Sequence, residues 1–233
     1  MTPRAPAASD PLAAHVAQTR DKHAVTPYFQ RAESLFPAQW ANLIEPVVAH
    51  RGFDFSRTLE LACGHGRNTQ KLLDFVAAAD GDLTLVDVNR HCLDACAARF
   101  ANDPRARRAD GSPRIRFVLG DGASFREIPD ASVTFIYSWD SMVHFHRELM
   151  ERYIHEFARV LAPGGRGFVH HSNYGAHCPD PNRNWTDNPH WRSTMTAELF
   201  AAYCRDAGLE VESQQVIDWR EDKAIDCISV FGR

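Results

Sequence analysis

No two cysteines of this chain stand in a CxxC pair. The six present, Cys63, Cys92, Cys96, Cys178, Cys204 and Cys227, follow no regular framework. That removes zinc-ribbon and disulfide-scaffold readings and leaves reduced thiols as the expected state, in keeping with a cytoplasmic protein. Cys92 and Cys96 are a helical interval apart, which suits a shared core face better than a metal. No apolar run reaches the roughly 18 residues of a membrane span. The Ala/Pro-rich start, MTPRAPAASDPLAA, lacks the continuous apolar segment of a secretory signal and reads as a disordered lead-in. An excess of one charge is also missing. Twenty-six Lys and Arg against 30 Asp and Glu give a formal net charge of -4, which supplies no general field for nucleic acid. The densest basic cluster, Arg105 to Arg108, sits in a Pro- and Asp-containing loop and reads as solvated. No internal repeat is visible.

What is present is alternation. Residues 12 to 50 look helical, with Leu35, Trp40, Leu43, Val47 and Val48 at roughly helical intervals interrupted by Pro37 and Pro46. Apolar strand-like runs then alternate with helical ones: RTLELAC, DLTLVDV, RIRFVLGD, VTFIYSWD and RGFVHHSN. The helix LMERYIHEFARVL is stopped by APGG. Such alternation argues a parallel sheet covered on both faces. The last two strands, LEVESQQVID and AIDCISVFG, are joined too tightly for a parallel crossover and should form an antiparallel hairpin at one edge.

The stretch LELACGHGRNTQ, residues 59–70, turns from the first strand into a helix through Gly64 and Gly66, where a missing side chain lets a ligand approach the backbone. Asp87 ends the second strand about 20 residues on, as a ribose-binding acid does in nicotinamide and nucleoside sites alike. Thr69 stands where a dinucleotide fingerprint needs a small residue. Glu60 would repel a pyrophosphate but attract an ammonium. With Asp121 ending the third strand, three acids at successive strand ends suit S-adenosylmethionine better than NAD.

These residues resemble the class I S-adenosylmethionine-dependent methyltransferases. LELACGHG is similar to their first motif, with Ala62 in place of its first glycine. LVDVN, LGDGASF and VTFIYSWDSMVHF resemble the second to fourth motifs, and LAPGGRGFV the turn into strand five. The resemblance covers roughly residues 34 to 233. It implies a seven-stranded, mostly parallel doubly wound sheet, with the last pair reversed and helices on both faces, behind an N-terminal helical cap. It implies that Glu60 and the turn Ala62, Cys63, Gly64 and Gly66 meet the methionine portion, with Asn68 at its carboxylate and the Ser138 backbone at its ammonium. Asp87 would meet the ribose, Val88 a face of the adenine, and Asp121 and Gly122 its edge. The spent cofactor would be S-adenosylhomocysteine. The expected domains are a flexible lead-in and cap, 1–33, and a methyltransferase domain, 34–233.

Transfer to a hydroxyl needs a base. SWDSMVHFH offers Asp140, His144 and His146, and VHHSNYG offers His170 and His171. The two alternate across a strand, so only one faces the pocket; counting outward from the buried run favours His171. Asp140, His144 and His171 are the catalytic candidates. The same three can be drawn as a metal site, but they come from separate loops without diagnostic spacing, so no metal is assigned. Residues 174–192 are long for a connection and carry Tyr174, Trp185 and Trp191, which suits a lid that stacks on an acceptor. The N-terminal helix with Tyr28, Phe29, Phe36 and Trp40 is placed at the other wall, with a core role for Trp40 as the alternative. The expected function is O-methylation of a sugar or similar hydroxylated metabolite. N-methylation of a heterocycle or amine is its rival within the class, and a nicotinamide oxidoreductase or a non-catalytic binding domain are rivals outside it. The expected partner is a small-molecule acceptor, not nucleic acid or membrane, with homodimerisation left open.

Overall fold

The computed structural model describes residues 11–23, 26–178 and 180–233, with backbone alone at 11, 22–23 and 26–28. Two helices come first, α1 (Pro11–His23) and α2 (Thr26–Gln39). Helix α2 runs through a π-type turn, Trp40–Ile44, into the short α3 (Glu45–Val48). Pro46 cannot donate to a carbonyl one turn back, and the ladder is widened between it and Pro37. The expected flexible lead-in is therefore helical from residue 11; its residues 1–10 lie outside the described residues.

From Arg57 the chain alternates as the apolar runs predict. Strand β1 (Arg57–Leu61) leads to α4 (Thr69–Ala78), and β2 (Asp82–Asp87) to α5 (Arg90–Phe100). Strand β3 (Ile115–Leu119) is followed by irregular chain, then β4 (Val133–Ser138) and α6 (Arg147–Val160). Strand β5 (Leu161–Ser172), α7 (Ala197–Asp206), β6 (Glu210–Trp219) and β7 (Asp222–Gly232) complete it. The strands form one sheet in the order β3–β2–β1–β4–β5–β7–β6. β7 runs antiparallel to both β5 and β6, while the other pairs are parallel.

Sequence explains why the sheet is covered twice. All six residues of β4 are buried. Phe135, Tyr137 and Phe168 pack on one face with Trp40, Leu72 and Leu73, and Leu59, Ile136 and Val169 pack on the other with Tyr153, Phe157 and Phe231. APGG does not delay the fifth strand as its composition suggests: β5 begins at Leu161, and the four residues lie within it. A register shift in its pairing with β4, between Val133 and Phe135, absorbs the irregularity.

Candidate active site

The strand order reverses between β1 and β4, and a ligand crevice belongs beyond the carboxyl ends of those strands. There a cleft encloses about 1030 Å³ of empty space, its open mouth included. Its floor is the turn after β1 with Asp87 and Val88; its walls are Gly122 and the segment Trp139–Phe145; its roof is Val16, Thr19 and Phe29 from α1 and α2. The roof sits close. A Cβ on Gly64 would stand 3.2 Å from the Phe29 ring, and one on Gly122 would stand 2.3 Å from Val16. The Phe29 ring stacks on His65 at 3.6 Å, so His65 packs the roof as well as spacing the glycines.

The turn is built from left-handed residues: Ala62 (φ 59°), Gly64 (φ 54°) and Gly66 (φ 81°). Ala62, Cys63 and Gly64 line the cleft. Gly66 is glycine for a different reason. A Cβ there would come within 2.7 Å of Phe100 and 3.1 Å of the Cys96 sulfur, so packing against α5 excludes a side chain.

Beneath the turn, Glu60 is 1% exposed. Thr69 donates its hydroxyl to Oε2 at 2.6 Å, and Oε1, equally buried, has no hydrogen-bond partner among the described residues. Burial pushes the carboxyl up to about 8, against the downward pull of the Thr69 hydrogen bond and the Arg67 charge. An orphaned carboxylate oxygen under a glycine turn is what an ammonium group would complete. Asp87 is held by the Gly64 and Asn89 amides at 3.0 and 2.8 Å, and burial raises its pKa despite these two donors. Asn68 accepts from Tyr137 Oη at 2.9 Å and lines the cleft.

Residues 58–165 match the profile of a family described as a methyltransferase domain. That match places a methyltransferase domain over this stretch of the chain. Solved structures agree at the level of the fold. A methyltransferase from Methanosarcina mazei aligns with TM-score 0.61 and 15% identity, over 81% of this chain and 97% of that one. One from Clostridium acetobutylicum aligns with TM-score 0.63 and 14% identity, over 88% and 97%. A geranyl diphosphate methyltransferase in complex with geranyl diphosphate and sinefungin aligns with TM-score 0.63 and 13% identity, over 81% and 77%. No curated protein sequence matches. The buried Glu60 carboxyl, the glycine turn and Asp87 fit the S-adenosylmethionine that the sequence leads one to expect.

Several expected site residues stand elsewhere in the methyltransferase. His171 is fully buried and does not line the cleft; it stacks on Phe200 at 4.3 Å, with Nε2 on Ser229 and Nδ1 on the Ser172 carbonyl. Burial drives its pKa down to about 4. It cannot serve the cleft, and the metal trio that includes it cannot assemble. Among the described residues no group of three or more His, Cys, Asp or Glu is placed to hold a metal. Trp40 is a core residue between Phe36 and Phe75, not a wall of the cleft. Tyr174 likewise packs against the core. Asp121 spends its carboxylate on its own turn, accepting from the Ala123 and Ser124 amides and the Ser124 hydroxyl; Gly122 beside it does line the cleft. Ser138 is buried, its hydroxyl on the Leu61 carbonyl.

Asp140 and His144 do reach the cleft. The Asp140 carboxylate lies 2.8 Å from the Arg67 guanidinium. Its pKa is lowered: burial pushes it up, but the Arg67 and Arg192 charges outweigh that. It stays ionised and is a poor base. Nδ1 of His144 faces the Trp191 carbonyl at 2.9 Å. Trp185, buried, lies 6.0 Å from the His144 ring and 5.4 Å from His15. Arg67, His15, Arg192 and Asp226 are not singled out by sequence spacing, because their partners are long sequence distances away. The basic residue beside Gly66 was the one local signal available.

Proposed function

We propose that this methyltransferase transfers a methyl group to a hydroxyl of a small polar acceptor, with His144 as the base. The observation that carries the reading is the Nδ1 contact to the Trp191 carbonyl. A carbonyl only accepts, so Nδ1 holds the proton of the neutral ring and Nε2 is its basic atom. Trp191 and Trp185 thus orient the imidazole, and the 174–192 segment acts on the acceptor side of the cleft.

When bound, S-adenosylmethionine supplies an electrophilic methyl carbon on a positively charged sulfur. In this reading Glu60 and the 62–66 turn hold its amino-acid end, with Asn68. Asp87 holds the ribose, and Val88 and Gly122 flank the adenine. The acceptor hydroxyl would pass its proton to His144 Nε2 as its oxygen takes the methyl carbon, the carbon–sulfur bond breaking and S-adenosylhomocysteine leaving as a neutral thioether. The roof of α1 and α2 excludes water, which favours orientation over hydrolysis.

A mass-spectrometric panel of sugars, other hydroxylated metabolites, amines and heterocycles tests this. A hydroxylated acceptor should be methylated, and His144→Gln should lower its kcat by about 100-fold, the usual size of a lost general base. Methylation of amines alone, undiminished in His144→Gln, would establish N-methylation instead.

A further inference from the structure

Behind the Asp140 wall lies a buried polar chain that the transfer step does not use. Arg192, at the end of the 174–192 segment, sends Nε and Nη2 to the two carboxylate oxygens of Asp226 at 2.8 and 2.7 Å. Both residues are essentially excluded from solvent. Asp226 Oδ2 also lies 3.0 Å from Nε2 of His170, without the alignment of a full hydrogen bond. The His170 ring is clamped between Trp139, 4.2 Å away, and Trp219, 5.4 Å away. Its Nδ1 accepts from the backbone amide of Asp140 at 3.2 Å. Asp140 itself has φ 56°, a left-handed conformation that a non-glycine residue adopts only when its surroundings hold it.

We propose that Arg192 and Asp226 are positioning residues that fix His170 in its Nε2–H tautomer, so that Nδ1 anchors the Asp140 amide and aims the Asp140–Arg67 pair into the cleft. Each link follows from what its atoms can do. An amide N–H only donates, so Nδ1 must be bare, and the proton of the neutral ring goes to Nε2, toward the Asp226 carboxylate. The Arg192 fork fixes both oxygens of that carboxylate. Arg67 at 2.8 Å holds the other end of Asp140. The long segment that carries Trp185 and Trp191 thereby sets the acceptor wall from two sides, through the Trp191 carbonyl on His144 and through Arg192.

Histidine-selective ¹⁵N NMR of the full chain tests this at pH 7, with calorimetric titration of S-adenosylhomocysteine as the independent readout. The wild type should show His170 as the Nε2–H tautomer alone, with the Asp140 amide strongly protected from exchange. Asp226→Asn and Arg192→Lys should mix the tautomers and deprotect that amide at least tenfold, with S-adenosylhomocysteine affinity within threefold of wild type. His170→Phe, which keeps the ring stack, should abolish the protection, and His170→Gln, which restores an acceptor, should recover part of it. Should Asp226→Asn fail to fold, Arg192→Lys and the His170 pair decide the matter. An Nδ1–H tautomer in the wild type, or unchanged Asp140 protection in His170→Phe, would overturn the proposal. Failure of the wild type to bind S-adenosylhomocysteine would count against the cofactor assignment instead, which the NMR arm does not need.

Discussion

Glu60 makes stability depend on pH in a direction opposite to that of a paired surface acid. In the unfolded chain its carboxyl ionises near the ordinary value of 4.5; in the fold burial raises it to about 8. Between those values the unfolded state has lost a proton that the folded state keeps, so this group's contribution to stability falls as pH rises. Linkage at about 1.4 kcal/mol per pH unit gives about 2.5 kcal/mol lost between pH 5 and pH 7 from this one carboxyl. For a chain of this size that corresponds to about 5–10 °C in Tm. Glu60→Gln cannot ionise and still accepts from Thr69. The test is the Tm difference between wild type and Glu60→Gln, scanned from pH 5 to pH 8. The variant should gain on the wild type steadily across that range. A cationic ligand beside Oε1 should reverse the cost by favouring the ionised form. At pH 7 S-adenosylhomocysteine should therefore release up to about 0.9 proton per site, read by calorimetry in buffers of different ionisation enthalpy, and none in Glu60→Gln. A pH-independent Tm difference would refute the reasoning, since the burial argument permits no other outcome.

Ala62 sits at φ 59° where a glycine would be unstrained. Relief of a left-handed alanine is about 1 kcal/mol, partly offset by glycine's unfolded-state entropy, so Ala62→Gly should raise Tm by about 1–3 °C. Gly66→Ala should do the reverse, losing more than about 2 kcal/mol in denaturant titration because the new Cβ meets Phe100 and the backbone is left-handed. His171→Ala should cost about 2–4 kcal/mol of stability as a buried cavity and lost hydrogen bonds, yet leave S-adenosylhomocysteine affinity unchanged. Asp226, which burial pushes up but the charge and paired hydrogen bonds of Arg192 hold below its ordinary value, contributes stability above the ordinary carboxylate range. That contribution should drain away on acidification, and acid titration of Asp226→Asn should show a flatter loss than wild type.

The fold was legible because β1, β2, β4 and β5 are short apolar runs separated by stripes of helical period, and because the tail has too little chain between β6 and β7 for a crossover. The glycine turn was legible too, since Glu60, Gly64, Gly66 and Asp87 act within two neighbouring strand ends. The parity of β5 was not. His170 and His171 are both fully buried and neither lines the cleft, so neither face of the strand advertises itself as solvent or cleft, and outward counting has nothing to choose between them. Trp40 misled for a related reason: an aromatic on a helix looks the same whether it faces a ligand or a core. The Asp140–Arg67 and Arg192–Asp226 pairs join residues 73 and 34 positions apart, and no local pattern announces a partner at that range. Asp121 looked like a nucleotide ligand but serves its own turn, a role written in the Ala123 and Ser124 amides rather than in its spacing.

The roof over the cleft has a kinetic meaning. Val16 and Phe29 belong to α1 and α2, which are not strands of the sheet, yet they stand against Gly122 and Gly64 in the loops after β3 and β1. Truncating Val16 or Phe29 to alanine should therefore speed dissociation of S-adenosylhomocysteine, read by stopped-flow, without removing an atom that binds the ligand's polar groups.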